Sequence, residues 1–183
     1  MRILIADDES IIRLGVRSML QKLGHEVIAT GSGQEAIAEA RRLRLDMAIL
    51  DIKMPGTDGL SAAKAIYKQQ PLPIIFLTAF SDQDLIDEAT ELPVMGYLVK
   101  PVLEGDLAAA IAMANKRFAQ EIALQAEADK LRDRLTERQL IERAKGKLME
   151  KGISEEDAYR QIQQVARDKQ VTMVQVAQVI LRQ

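Results

Sequence analysis

The chain has 183 residues, enough for one good-sized domain and a small second one, and at 48% hydrophobic residues it can bury a sizeable core. It holds no cysteine, which excludes disulfides, zinc–thiolate sites and thiol catalysis and suits a cytoplasmic protein. The net charge of −2 divides into an acidic front (11 Lys/Arg against 16 Asp/Glu in residues 1–114) and a weakly basic rear (9 against 7 in residues 136–183), too little positive charge to signal nucleic-acid binding in bulk.

Met1 to Asp8 runs straight into an apolar stretch and then charges, with no signal-peptide core, and no run approaches the ~20 apolar residues of a membrane span, so no membrane partner is expected. Ile3–Ala6 reads as a buried strand ended by Asp7, Asp8 and Glu9. Ile12, Val16, Met19, Leu20 and Leu23 are spaced for a helix over 11–23. Val27–Ala29 is a second strand, 34–43 a helix, Met47–Leu50 a third strand, and Met54-Pro55-Gly56 a loop before a helix over 60–67. Ile74–Leu77 is a fourth strand, 82–89 a helix and Met95–Val99 a fifth strand, followed by Lys100-Pro101. Short apolar strands alternating with helices specify an α/β fold with a five-stranded parallel sheet wound on both faces. Ligands of such sheets bind at the carboxyl ends of the strands.

A long helix opens near Glu104 and meets no Pro or Gly from Leu107 to Leu135. Leu124, Ala128, Leu131 and Leu135 repeat on a heptad, so residues 107–135 read as a connecting helix whose seam faces either a second copy or the C-terminal segment. Residues 136–183 read as a small all-α domain of three helices. The first spans about 137–150 and closes at Lys151-Gly152; the second opens at Ser154 with Asp157 three residues on; the third opens at Thr172 with Gln175 in a capping-box spacing. Leu140, Ile141, Ala144 and Leu148, then Ala158, Ile162, Val165 and Ala166, then Val176, Ala177, Ile180 and Leu181 give each helix one inward stripe. Gly146 and Met149 are assigned to helix packing and core.

Asp7 and Asp8 follow strand one, Asp51 strand three, Thr78 strand four and Lys100 strand five, so all five gather at one sheet edge. Each alone has a plainer reading, as a cap, a turn residue or a solvated charge. Together the three carboxylates repel one another, and a hard divalent cation offsets that repulsion; magnesium suits one or two carboxylates completed by water and phosphate oxygens. A carboxylate can also act as nucleophile and form an aspartyl phosphate. His25, the only histidine, precedes strand two away from this edge and reads as a surface turn residue.

The ordered set Asp7-Asp8, Asp51-Ile52-Lys53-Met54-Pro55-Gly56-Thr57-Asp58-Gly59, Thr78-Ala79 and Lys100-Pro101 resembles the receiver domain of two-component response regulators across residues 1–120. The resemblance implies a flavodoxin-like fold and Asp51 as phosphoacceptor. It implies Mg2+ held by Asp7, Asp8, Asp51 and the backbone carbonyl of Lys53. Thr78 and Tyr97 would be switch residues and Lys100 the partner of the phosphoryl group, with a cis bond to Pro101. The chain would be phosphorylated by a sensor histidine kinase and would not be an enzyme by role.

The C-terminal motifs Ala144-Lys145-Gly146, Leu148-Met149 and Ala158-Tyr159 resemble the ANTAR domain, a helical output module that binds RNA. That resemblance implies transcription antitermination through RNA hairpins in leader transcripts; the heptad seam on the long helix adds a candidate homodimer on phosphorylation. The RNA-contact candidates are Arg138, Arg143, Lys145, Lys147, Tyr159, Arg160 and Arg167. The alternative is a tail that serves only as a dimerisation or protein-interaction module. A DNA-binding output is disfavoured because the third segment, 172–181, carries no positive charge.

Overall fold

The computed structural model describes residues 1–79 and 94–182. Five strands, β1 (Arg2–Ala6), β2 (Glu26–Thr30), β3 (Met47–Asp51), β4 (Ile74–Thr78) and β5 (Val94–Val99), pair in the order β2-β1-β3-β4-β5, all parallel. This is the flavodoxin-like order expected from the sequence. The helix expected over 82–89 lies outside the described residues.

Alternation along each strand sends side chains to opposite faces. Leu4, Ala48, Leu50, Ile74 and Phe76 point to one face, where α2 (Gly33–Arg42) and α3 (Gly59–Gln69) cover them with Ala36, Ala40, Ala62, Ala63 and Ile66. Ile3, Ile5, Met47, Ile49, Ile75 and Leu77 point to the other, covered by Val16 and Leu20 of α1 (Ser10–Lys22) and by Leu107, Ile111 and Ala114. Burial on both faces explains why β3 and β4 read as unbroken apolar runs. Small alanines on α2 and α3 let those helices lie close to the sheet.

The chain forms two compact units, Met1–Ile122 and Ala123–Gln183. One helix, α4 (Glu104–Met149), 46 residues long, contributes to both. The separate helix expected to begin near residue 137 is therefore the distal part of α4. At this junction the Thr136 hydroxyl donates to the Arg132 carbonyl at 2.9 Å, a bond made inside a helix rather than at its start. Gly152, at φ 85°, sits in the left-handed region just beyond the helix.

In the second unit, α5 (Glu155–Asp168) and α6 (Met173–Arg182) pack with the end of α4 around Ala144, Leu148, Ala158, Ile162, Ala166, Val176 and Ala177. Ser154 caps α5 by accepting from the Asp157 amide. Thr172 and Gln175 form the reciprocal capping box, at 2.9 and 3.2 Å. Two expectations fail here. Met149 is exposed, and a Cβ at Gly146 would meet nothing, so neither packs the core. Among the described residues, no helix is long and apolar enough to cross a membrane.

One backbone approach ties the fold to the sheet edge. The Gly59 amide donates to the Ile52 carbonyl at 2.9 Å, and a Cβ at Gly59 would lie 1.9 Å from the Asp51 carbonyl oxygen. That atom is main chain and cannot swing away. Gly59→Ala is expected to destabilise the first unit by about 3 kcal/mol, the upper range for overpacking, seen as a lowered denaturation midpoint with an unchanged m-value.

Candidate functional site

In a 2-1-3-4-5 sheet the helices switch sides between β1 and β3, which opens a crevice at the carboxyl ends of those strands. Asp7 and Asp8 leave β1 at this crevice, and Asp51 is the last residue of β3. One carboxylate oxygen from each lies within 4.8 Å of the other two. Asp7 and Asp51 are buried and Asp8 is exposed, so the cluster is rooted in the protein and open on one side.

Local structure holds the acids in place. The Glu9 amide donates to Asp7 Oδ1 at 2.8 Å, turning the chain into α1. The Arg13 guanidinium donates to the Asp7 carbonyl. On the far side of the crevice, Asp58 caps α3 by accepting from the Ser61 amide at 2.7 Å. Asp8, Lys53, Met54, Pro55, Asp58 and Lys64 help to line a cleft of about 570 Å³ beside the acids.

Lys100 reaches this cluster from just past the end of β5, and its bond to Pro101 is cis, as the receiver resemblance implies. Its Nζ lies 2.9 Å from Asp7 Oδ2 and 3.1 Å from Asp51 Oδ2. The Asp7 contact is an ion pair by distance without hydrogen-bond geometry, and Asp7 Oδ2 is a buried oxygen with no hydrogen-bond partner. Burial raises the Asp51 carboxyl above its ordinary range, Lys100 pulls it back, and Asp7 and Asp8 add to the rise. Burial pulls the Lys100 ammonium down, but its contacts with Asp7 and Asp51 outweigh that and leave it raised.

This arrangement fits a hard divalent cation. Three carboxylates converge, a cation pairs with two of them, and Asp7 Oδ2 is buried with an ion pair but no hydrogen bond. Thr78 is buried at the end of β4, and its hydroxyl donates to the Ala79 carbonyl at 2.7 Å. Tyr97 stacks on Phe76 with ring centroids 6.0 Å apart and is partly buried. Glu9 escaped the sequence reading: its Oε1 lies 3.4 Å from Lys100 Nζ, making it a third acid on the same lysine, after Asp7 and Asp51. The signal was the acidic run Asp7-Asp8-Glu9 itself.

In the second unit, Arg138, Arg143 and Arg167 are exposed and Lys147 is half-buried, 3.5 Å from the Leu181 carbonyl. Tyr159 is exposed, and Arg160 pairs with Glu156 one turn before it. Lys145 is buried and held by Glu142 and Glu155.

A model of the response regulator receiver domain matches residues 3–112, and a model of the ANTAR domain matches residues 129–181. This chain belongs to the response regulators, with a receiver domain and an ANTAR domain. The transcriptional regulatory protein PdtaR of Mycobacterium tuberculosis is 44% identical over 182 residues, covering 98% of this chain and 89% of that protein. The transcriptional regulatory protein LnrK of Bacillus subtilis is 41% identical over 102 residues, or 54% of this chain and 46% of that protein. Among solved structures, the receiver domain of a modulated diguanylate cyclase from Desulfovibrio desulfuricans superposes with a TM-score of 0.62 at 34% identity, covering 66% of this chain and 97% of that one. The receiver domain of sensor histidine kinase PA1611 from Pseudomonas aeruginosa, solved with magnesium coordinated in its active-site cleft, superposes with a TM-score of 0.58 at 29% identity, over 63% of this chain and 97% of that one.

In this receiver, Lys100 is the cation that buried Asp7 and Asp51 share. Lys100→Met is expected to destabilise the metal-free protein by about 3 kcal/mol, because it leaves buried carboxylates unpaired. Chemical denaturation at neutral pH checks this. A divalent cation should recover part of the loss by supplying positive charge to the same oxygens.

Proposed function

We propose that this response regulator takes a phosphoryl group on Asp51 from a sensor histidine kinase and relays that state to an RNA-binding ANTAR domain acting in transcription antitermination. The observation that carries the first half is the meeting of Asp7, Asp8 and Asp51 with Lys100 at the sheet's switch point. An Asp51 carboxylate oxygen attacks the phosphorus of a phosphohistidine on the kinase. The new O–P bond forms as the P–N bond breaks, and the electron pair leaves with the imidazole nitrogen, which takes up a proton. Asp7, Asp8, Asp51 and the Lys53 carbonyl would hold Mg2+, which when bound neutralises charge on the transferring phosphoryl oxygens. Lys100 follows the phosphoryl group, exchanging a carboxylate partner for a phosphoryl oxygen.

A phosphoryl group adds about −1.5 to −2 charges and three acceptor oxygens. Thr78, now bonded to the Ala79 carbonyl, can rotate its hydroxyl toward one of those oxygens. Tyr97 lies on the neighbouring strand, with Phe76 of β4 against its ring, so a shift at Thr78 reaches it through two adjacent strands. The domain boundaries that suit this reading are a receiver over residues 1–120, a connecting helix over 107–135 and an output domain over 136–183. Leu124, Leu131 and Leu135 are exposed along α4, an apolar seam available to a second copy when the protein is phosphorylated.

For the second half, support comes from the match to the ANTAR domain and from the near full-length similarity to a transcriptional regulatory protein. Basic and aromatic side chains of the output unit would meet backbone phosphates and unpaired loop bases. The protein-interaction reading keeps weight from the exposed seam on α4.

Two measurements test the reading. Asp51→Asn is expected to abolish phosphoryl uptake from a phosphorylated histidine kinase, with wild-type uptake requiring Mg2+. Uptake by the variant at the wild-type rate would remove Asp51 from its role. The phosphorylated protein is expected to shift a synthetic two-hairpin leader RNA in a gel and not duplex DNA. Its affinity should fall with salt at a slope of about −0.7 to −0.9 per phosphate contact. Failure to bind such RNA at low salt would favour the protein-interaction output.

A further inference from the structure

A lysine on a helix in an RNA-binding unit ordinarily faces solvent and meets phosphate. Lys145 does neither. Its side chain is 9% exposed, and Nζ lies 2.8 Å from Glu155 Oε1 and 3.2 and 3.0 Å from the two Glu142 carboxylate oxygens. An ammonium has three protons to donate, and three carboxylate oxygens already surround this one. Two negative charges against one positive charge also leave the pocket repellent to a phosphate.

The geometry gives the lysine a different task. Glu142 lies three residues before it on α4, whereas Glu155 is the first residue of α5. Lys145 therefore fastens the start of α5 to the end of α4 across the turn that contains Gly152. Its ammonium also lies 6.0 Å from the centre of the Tyr159 ring, within cation–π range. Tyr159 is four residues after Glu155, on the same side of α5. Tyr159 is 43% exposed and lines a shallow groove with Lys145, Glu155 and Arg160. An exposed aromatic face, held from below by a cation, is the surface on which an unpaired RNA base stacks.

We propose that Lys145 is a positioning residue that does not touch RNA: with Glu142 and Glu155 it forms a clamp that holds Tyr159 in place to stack on an unpaired RNA base. The inference rests on the RNA-binding reading above and names the part of the surface that does the reading.

The test titrates the full-length protein with a synthetic two-hairpin RNA carrying unpaired loop bases, over a range of salt concentrations. Tyr159→Ala is expected to weaken binding by about tenfold or more, as loss of a stacking partner does. Lys145→Met should weaken it to a similar degree with no change in salt slope, and should add nothing in the Tyr159→Ala background. Lys145→Arg, which keeps the cation, should restore most of the affinity and guards against simple misfolding. The proposal is overturned if Lys145→Met makes the slope shallower by about one, the signature of a lost phosphate contact. It is also overturned if the loss persists without Tyr159, or if Lys145→Met has no effect. If the wild-type protein binds no hairpin at low salt, the RNA reading falls. The clamp is then judged by the Tyr159 ring resonances in NMR: movement in both Lys145→Met and Glu155→Gln keeps it, and no movement removes it.

Discussion

Three carboxylates within 4.8 Å of one another, two of them buried, are a standing electrostatic strain that the rest of the receiver is built to manage. Without a cation at hand the acids would have to protonate or move apart. Lys100 supplies that cation from the far strand, while the Arg13 guanidinium and the Glu9 amide fix the turn that carries Asp7 and Asp8. The parallel sheet makes the convergence possible, because only there do four separate strands end at one edge. A site balanced in this way is sensitive to any new charge.

The output unit faces the opposite problem. Its core is seven small or medium apolar residues, little for a unit of this size. It compensates with local chemistry: a side-chain cap at Ser154, a reciprocal box at Thr172 and Gln175, and the buried ion pairs of Lys145. These are directional interactions at helix ends, so they specify where each helix begins as much as they add stability.

The sequence disclosed the receiver well because strands buried on both faces read as plain apolar runs, and because each chemical residue comes directly after one. The side-chain caps on α5 and α6 and the inward stripes were legible because they are local patterns with a fixed spacing, whereas the flavodoxin-like sheet came from the receiver resemblance. What escaped depended on partners distant in sequence or on geometry that a string does not carry. Glu9 looked like the tail of an acidic run, and only the approach of Lys100, 91 residues on, sets it apart. The helix boundary expected near residue 137 is absent, and the Thr136 hydroxyl there bonds backward along an unbroken α4. Lys145 was an RNA-contact candidate because Glu155, ten residues on and on another helix, is what pairs its charge. Met149 looked like core because its neighbour Leu148 is.

The internal pairing of Lys145 and Arg160 has a kinetic side. Cations neutralised by neighbouring acids project little field into solution, so Lys145 and Arg160 would do little to draw an anionic partner in from a distance; that pull would fall to the exposed Arg138, Arg143 and Arg167. Attraction and grip would then sit on different side chains, the exposed arginines bearing on how fast a complex forms and the clamped groups on how long it lasts.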